Sequence, residues 1–503
     1  SAASDVYKRQ ALDTLLKNDT SRNIFLKGLN GSGPAMTIAS LFTKGRGSYV
    51  CVLNDQEEAG YFYHDLMQLT ASNEVYFFPS AYRRAIKYGH VDPANEILRT
   101  EVLSRLQDPD ASFVIVTYPD ALAERVVARE VLKENTLKIS VGEKLDNMFV
   151  SDVLDEYGFE QVDYVYEPGQ YALRGSILDV FSFSYEFPYR IDFFGDEVET
   201  IRTFDVETQL SKEKLDSIYI VPEMSKNAKD STSLLGSLPR NTFIAARDLA
   251  WCKERIGSVW NDDPVVADEE SFADIDQMRK KLVQAEDFLR EVLDFRRIHF
   301  GARPMGTADA TIHFSTQTQP IYHKNFDRVS ESFHKYLDEG YTLYILSDQE
   351  KQANRIRMIF EDRGDNIPFT AVNRTIHEGF ADDTLRICFF TDHQLFDRFH
   401  KFNLKSDKAR SGKITLSLKE LNQFSQGDYI VHIDHGVGQF GGLVRTEVNG
   451  KMQEAIKLIY QNNDIIFVSI HSLHKLSKYK GKESGEPPKL SKLGTGAWEK
   501  MKE

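Results

Sequence analysis

Tyr166-Glu-Pro-Gly-Gln-Tyr-Ala-Leu-Arg-Gly-Ser-Ile-Leu-Asp-Val-Phe181, followed after a polar break by Pro188-Tyr-Arg-Ile-Asp-Phe-Phe-Gly-Asp-Glu-Val-Glu-Thr-Ile-Arg-Thr-Phe-Asp205, is the stretch around which the chain is organised. Ile177 to Phe181 and Tyr189 to Phe194 are β-branched and aromatic runs. Glu167-Pro-Gly169 and Phe194-Gly-Asp196 supply turn residues between them. Apolar and polar residues alternate along Arg190-Ile-Asp-Phe, which predicts one buried face with Arg190 and Asp192 looking outward. A small antiparallel sheet with charges on one side suits a protein-binding surface better than an active site.

Composition sets the frame around this stretch. At 503 residues the chain exceeds the ~250–300 residues at which single cores stop growing, so several domains are expected. No apolar run approaches the ~20 residues of a membrane helix, and no signal peptide opens the chain. Cys51, Cys252 and Cys388 lie far apart in apolar contexts and read as reduced core residues of a cytoplasmic protein. A net charge of −14 argues against a surface that grips nucleic acid throughout. Locally the balance reverses: from His471 to Glu503 there are eight lysines against four glutamates.

Near the start, the apolar Asn23 to Leu26 leads into Gly28-Leu-Asn-Gly-Ser-Gly-Pro-Ala35 and a helical run from Met36 to Phe42. Gly28 and Gly33 hold the glycine spacing of a nucleotide-binding P-loop. Pro34 stands where a lysine reaches the phosphates, and Ala35 where a hydroxyl holds magnesium. The frame is therefore a degenerate one, with no cofactor expected. Strands at Tyr49 to Leu53, Val75 to Phe78 and Phe113 to Thr117 alternate with helices at Gln56 to Leu69 and Asn95 to Leu106. That alternation predicts a parallel sheet covered on both faces. Tyr82 to Lys87 reads as a solvated basic turn. A helix is expected from Asp146 to Tyr157, with Phe149, Val150, Val153, Leu154 and Tyr157 on one face, and another over about Ser271 to Phe295. A further α/β unit runs from about Gln319 to His400. Its Asp392, His393 and His400 cluster in sequence and read as structural.

After a basic connector at Lys401 to Lys413 comes Gly427-Asp-Tyr-Ile-Val-His-Ile-Asp-His-Gly-Val-Gly-Gln-Phe440. Short strands follow at Leu443 to Val448, Glu454 to Tyr460 and Asp464 to Val468, with Asn449-Gly450 as a hairpin signal. This predicts a small β-barrel. Strand alternation would put His432 and Asp434 on one face with His435 pointing away, too few ligands for a metal.

The 166–205 stretch, with the Thr203-Phe-Asp-Val-Glu-Thr-Gln209 that overlaps its end, resembles the segment shared by the repair helicase UvrB and the bacterial transcription-repair coupling factors. The 427–440 run, with Leu458-Ile-Tyr460 and Ile466-Phe-Val468, resembles the RNA polymerase-interacting module of CarD-type regulators and the coupling factors. The tail Pro488-Lys-Leu-Ser-Lys-Leu-Gly494 with Trp498 is similar to that module's continuation. The pairing points to the coupling factors. Only about Ala81 to Pro93 stands where UvrB carries a DNA-inserting hairpin, which also favours them.

The resemblance implies an α/β multidomain chain. Residues 1–136 and 223–318 would form a degenerate UvrB-like P-loop α/β domain, interrupted by an α+β sheet domain at 137–222 that binds UvrA. Residues 319–400 would be a spacer α/β domain, 401–416 a linker, and 417–503 the CarD-like, Tudor-like barrel. By motif position Arg174, Arg190 and Phe194 would contact UvrA. Alternatively the arginines pair with Asp179, Asp192 or Glu197, and Phe194 is core. The edge Leu443-Val-Arg-Thr446 would add a strand to the RNA polymerase β subunit; Thr446 replaces a leucine frequent there. No intact phosphate loop or acidic helicase box occurs before Glu503, so the chain is expected to be the non-motor front part and itself no enzyme. ATP and Mg would belong to the motor, through which DNA is mainly engaged. No membrane partner is expected, and the setting would be the bacterial cytoplasm, associated with the nucleoid. The other readings are a CarD-type transcription regulator and a UvrB-like nucleotide-dependent helicase.

Overall fold

Asn23–Lys27 is a strand with four successive buried residues, Asn23 to Leu26, the pattern expected of a strand covered on both faces. In the computed structural model it lies inside a seven-stranded sheet of order Ala310–His313, Asn23–Lys27, Arg296–His299, Phe243–Ala246, Tyr49–Val52, Val114–Thr117, Val75–Phe77. Every pairing is parallel. The structure describes residues 11–18, 20–81, 93–206, 208–224, 230–261, 279–398, 400, 421, 424–448, 451–479 and 488–494. The Tyr82–Lys87 turn, the Lys401–Lys413 connector, Asn449-Gly450 and Trp498 lie outside them.

Contact density divides the chain into two units, Ser1–Lys133 with Ser225–Leu404, and Glu134–Met224 with Lys405–Glu503. In the first, Phe243–Ala246 slots between Tyr49–Val52 and Arg296–His299, so the chain returning from residue 225 completes the sheet begun by residue 23. Helix Gln56–Thr70 is started by Asp55, whose side chain accepts from the Glu58 N–H, and by Glu57 and Glu58 in its first turn. It stops where Ala71 turns left-handed at φ 49°. The expected helix over 271–295 is interrupted at 280–284 and resumes as Ala285–Val292, because Leu282 bridges to Glu124 and the Val283 N–H donates to the Ala123 carbonyl. Residues 262–278 lie outside the described set.

The same unit holds a second, five-stranded sheet of order Thr316–Thr318, Phe380–Asp382, Ile387–Thr391, Thr342–Leu346, Thr370–Val372. Its core packs Val329 and Phe333 of helix Phe326–Asp338 and Ile356 and Phe360 of helix Glu350–Asp362 onto Leu343, Ile345 and Phe390. Phe333 and Phe390 lie 4.3 Å apart between ring centroids. Each such ring removed from water contributes about 1.5–3 kcal/mol.

In the second unit the chain enters along Leu137–Ser140 and leaves along Ser217–Ile220, which pair antiparallel. Between them lies a six-stranded sheet of order Ser211–Leu215, Glu197–Phe204, Tyr189–Phe194, Ile177–Val180, Gln170–Arg174, Glu160–Gln161. Helix Asn147–Glu156, capped by Asp146, covers its apolar face through Val150 and Leu154. Phe149 does not share that face as expected; it is exposed, since the burying stripe runs through 150, 151 and 154. The C-terminal part is a five-stranded antiparallel sheet of order Ile465–Ser469, Lys451–Ile459, Gly436–Val448, Tyr429–His432, Leu476–Lys478. Leu421, Ile430, Phe440, Ile456, Leu458 and Tyr460 form its core. The tail lies along it: the Ser491 N–H donates to the Val437 carbonyl, and Leu493 packs on the core.

Candidate partner-binding surfaces

Alternation in Tyr189–Phe194 sends Tyr189, Ile191 and Phe193 into the core. On the other face, Arg190 stands in register with Asp179. Asp179 is only 1% exposed, and a carboxylate so placed requires cationic donors. Arg190 supplies two, from Nε to Oδ1 at 2.8 Å and from Nη2 to Oδ2 at 3.0 Å. Arg174 adds Nη2 to Oδ2 at 2.5 Å. Arg190 is 14% exposed, lies over the Phe204 ring at 4.2 Å and also donates to Gln209. Arg190 thus lies on the face away from the core, as expected, and takes the alternative pairing with Asp179: the buried carboxylate draws it down onto the sheet. Arg174 is the more open of the two, resting against Tyr164 and donating to the Asp163 carbonyl. Asp192 instead pairs with Arg202 at 3.1 Å.

Phe194 is not core. It stands at the turn between Tyr189–Phe194 and Glu197–Phe204 and is 77% exposed. Alternation puts it on the same side as Arg190 and Asp192, while the bulge opposite Asp192 and Phe193 falls in the neighbouring strand, at Glu199. The face thus presents one bare aromatic ring, one half-open guanidinium and a second guanidinium behind it.

Leu443, Val444, Arg445 and Thr446 belong to Gly436–Val448 and pair with Ile456, Ala455, Glu454 and Gln453. On their other side the neighbouring strand, Tyr429–His432, reaches only Gly436 to Gln439. A bulge at Gly441-Gly442 then displaces the strand, and no described strand lies beside 443–446. That leaves a row of main-chain groups able to receive another strand, with Leu443 and Arg445 exposed. The family resemblance is what points to 443–446 as the edge; the bulge beside it is legible in the sequence only as a pair of glycines.

At the other end of the chain, the loop after Asn23–Lys27 keeps its turn: Gly28 sits at φ 90°, where a Cβ would lie 2.2 Å from the Phe314 carbonyl oxygen. The helix begins at Gly33, three residues earlier than expected, with Pro34 and Ala35 buried in its first turn. Proline fits there because that turn's N–H groups have no helical acceptor. Beneath the loop, burial pushes the Asp65 carboxyl up to about 7, against the lowering effect of its bonds from Ser32 and His377.

Sequence neighbours Asp392, His393 and His400 prove to be part of a larger group. The His393 and His400 rings stack at 4.1 Å, and His377 Nδ1 is 3.2 Å from His400 Nδ1. His64 and Tyr61, from helix Gln56–Thr70, complete the cluster. Their long sequence separation hid His64 and His377. In the C-terminal sheet, His435 does not point away from His432. The strand ends at His432, the chain turns, and the two rings lie 4.5 Å apart. Among the described residues no group of three or more His, Cys, Asp or Glu could hold a metal ion, and no helix is long and apolar enough to cross a membrane.

Comparison with known proteins finds matches over the two regions that contain these strands. Residues 137–225 fit the family model of the UvrB interaction domain, and residues 424–480 that of the CarD-like/TRCF RID domain. The transcription-repair-coupling factor of Staphylococcus aureus (strain bovine RF122 / ET3-1) is 24% identical over 98% of this chain and 49% of its own length. That of Bacillus subtilis (strain 168) is 24% identical over 95% and 47%. The chain spans about half the length of the curated relatives it matches. With both domain models matched in one chain and a similarity running nearly end to end, the chain is similar to the transcription-repair-coupling factors over about half of their length.

Proposed function

We propose that the chain is the adaptor part of a transcription-repair coupling factor, tying stalled RNA polymerase to UvrA for nucleotide excision repair of the transcribed strand. The observation that carries this reading is the presence of a UvrB interaction domain and a CarD-like/TRCF RID domain in the same chain. In it, UvrA docks on the face holding Arg174, Arg190 and Phe194. The polymerase β subunit adds a strand along Leu443 to Thr446, gaining main-chain hydrogen bonds. The C-terminal sheet acts as a Tudor-like barrel. The loop at Gly28 to Ala35 is a degenerate P-loop with no catalytic role. ATP, Mg and most DNA contact belong to a motor outside the matched half of the relatives, and the work is done in the bacterial cytoplasm, at the nucleoid.

Titration of the chain against its cognate UvrA and, separately, against the polymerase β subunit tests the adaptor reading. Binding of both, at once and on one chain, is the expected result. Binding of the β subunit alone would favour a CarD-type regulator. Hydrolysis of ATP by this chain would favour a UvrB-like helicase.

A further inference from the structure

One segment of the first unit is bonded to the glycine loop at 28–35. Arg374 to Gly379 runs along a single face of helix Gln56–Thr70, the face of Tyr61, Asp65, Gln68 and Leu69, spaced at one and two helical turns. Arg374 donates to the Leu69 carbonyl at 3.2 Å, and the Thr375 N–H to Gln68 Oε1 at 3.3 Å. The His377 N–H donates to Asp65 Oδ1 at 2.7 Å, and its ring stacks on Tyr61 at 3.5 Å.

The segment then enters the loop. The Ser32 N–H donates to the Glu378 carbonyl at 2.9 Å, and the Glu378 N–H donates back to Ser32 Oγ at 3.1 Å. Ser32 Oγ itself donates to Asp65 Oδ2 at 2.6 Å, so one hydroxyl ties loop, helix and segment together. In nucleotide-binding loops, main-chain N–H groups of this turn hold phosphate oxygens. Here one of them holds a carbonyl of the chain's own. Gly31, at φ 55°, lets the backbones meet: a Cβ there would lie 2.9 Å from both the Glu378 and Gly379 carbonyl oxygens.

We propose that Arg374 to Gly379 is a built-in occupant of the old phosphate position, and that the P-loop frame now serves as a clasp fastening the 319–400 region to the first sheet. The occupant brings a carbonyl in place of a charged phosphate, which suits a loop that has lost its lysine and lies over the buried Asp65. A switch that opened and closed with nucleotide has become a fixed joint. This rests on the reading of the loop as non-catalytic.

Hydrogen exchange followed by mass spectrometry on the whole chain tests it, together with calorimetric titration of ADP and ATP with Mg. In the wild type, the amides of 377–379 should exchange slowly and not respond to nucleotide. Ser32→Ala removes two of the clasp's bonds and should speed those amides about tenfold or more, leaving strand Thr342–Leu346 unchanged. Gly31→Ala should act more strongly, and if it fails to fold, Ser32→Ala still decides. Free-chain exchange at 377–379 in the wild type, or an unaltered rate in Ser32→Ala, overturns the clasp alone. Nucleotide binding that protects the loop overturns the non-catalytic reading as well.

Discussion

Asp179→Asn is the substitution whose effect the inserted sheet determines most directly. The side chain is 1% exposed and accepts three bonds from two guanidinium groups, of which Arg190 is itself 14% exposed. Breaking a buried ion pair by removing one partner costs about 3–5 kcal/mol. Asparagine keeps the shape and one acceptor, and Arg174, a third exposed, regains water, so the lower end applies: about 3 kcal/mol. At roughly 1.4 kcal/mol per decade, the opening equilibrium of this sheet should rise about 150-fold. Hydrogen exchange of the slowest amides in Ile177–Val180 and Tyr189–Phe194 reads that number directly. Asp192→Asn is the comparison: its pair with Arg202 is partly exposed on both sides and should be worth under about 1 kcal/mol, or fivefold. If the two variants accelerate exchange to within threefold of each other, Asp179 does not hold the arginines as described. The outcome also governs how a loss of UvrA affinity in Arg190→Ala is interpreted, since that variant loosens the sheet as well as removing a donor.

Thr446→Leu, which restores apolar area beside the free edge, should tighten binding of the polymerase β subunit by about 1 kcal/mol in a titration; equal or weaker binding would place the contact elsewhere. Burial and the neighbouring histidines hold His377 down at about 4 and His400 at about 3, so the unfolded chain takes up these protons first. Their contribution to stability is complete above about pH 6.5 and is lost as pH falls from there toward 4. Melting temperatures across that range should drop, and the slope should be shallower in His377→Gln; identical slopes would exclude the cluster as the cause. Cys51, Cys252 and Cys388 are buried with thiol pKa values raised by burial, Cys388 to about 12. A thiol reagent at pH 8 should therefore modify all three only after denaturation; rapid labelling of the native chain would contradict their placement.

Strands were the most legible elements, because Tyr49 to Val52 and Val114 to Thr117 announce burial on both faces through unbroken apolar runs. Short-range chemistry was legible too: Asp146 and Asp55 cap the helices that follow them. What the sequence withheld was pairing over distance. Nothing in the order of residues distinguishes an arginine reaching outward from one folded onto Asp179, five residues from Arg174 and eleven from Arg190. Ser32 and Glu378 are 346 residues apart, and their mutual bonds could not be inferred from either neighbourhood. The break at 280–284 in the helix expected over 271–295 has a related cause, since a strand-like bridge to Glu124 claims Leu282 that local periodicity assigns to a helix.

The entry and exit of the inserted sheet have a mechanical consequence. Leu137 pairs with Ile220 and Ser140 with Ser217, so the two flanking chains attach at the same end of a four-residue ladder. Tension arriving through those flanks parts the ladder one pair at a time, beginning at Leu137 and Ile220, instead of shearing all pairs together. That load is not confined to the ladder: Ile139, Ile218 and Ile220 lie in the core beneath the partner-binding face, and Val221 just outside is bonded to Ser182 and Phe183. The ladder works as a transmission: a pull on the connection to the rest of the chain loosens the packing behind the partner-binding face.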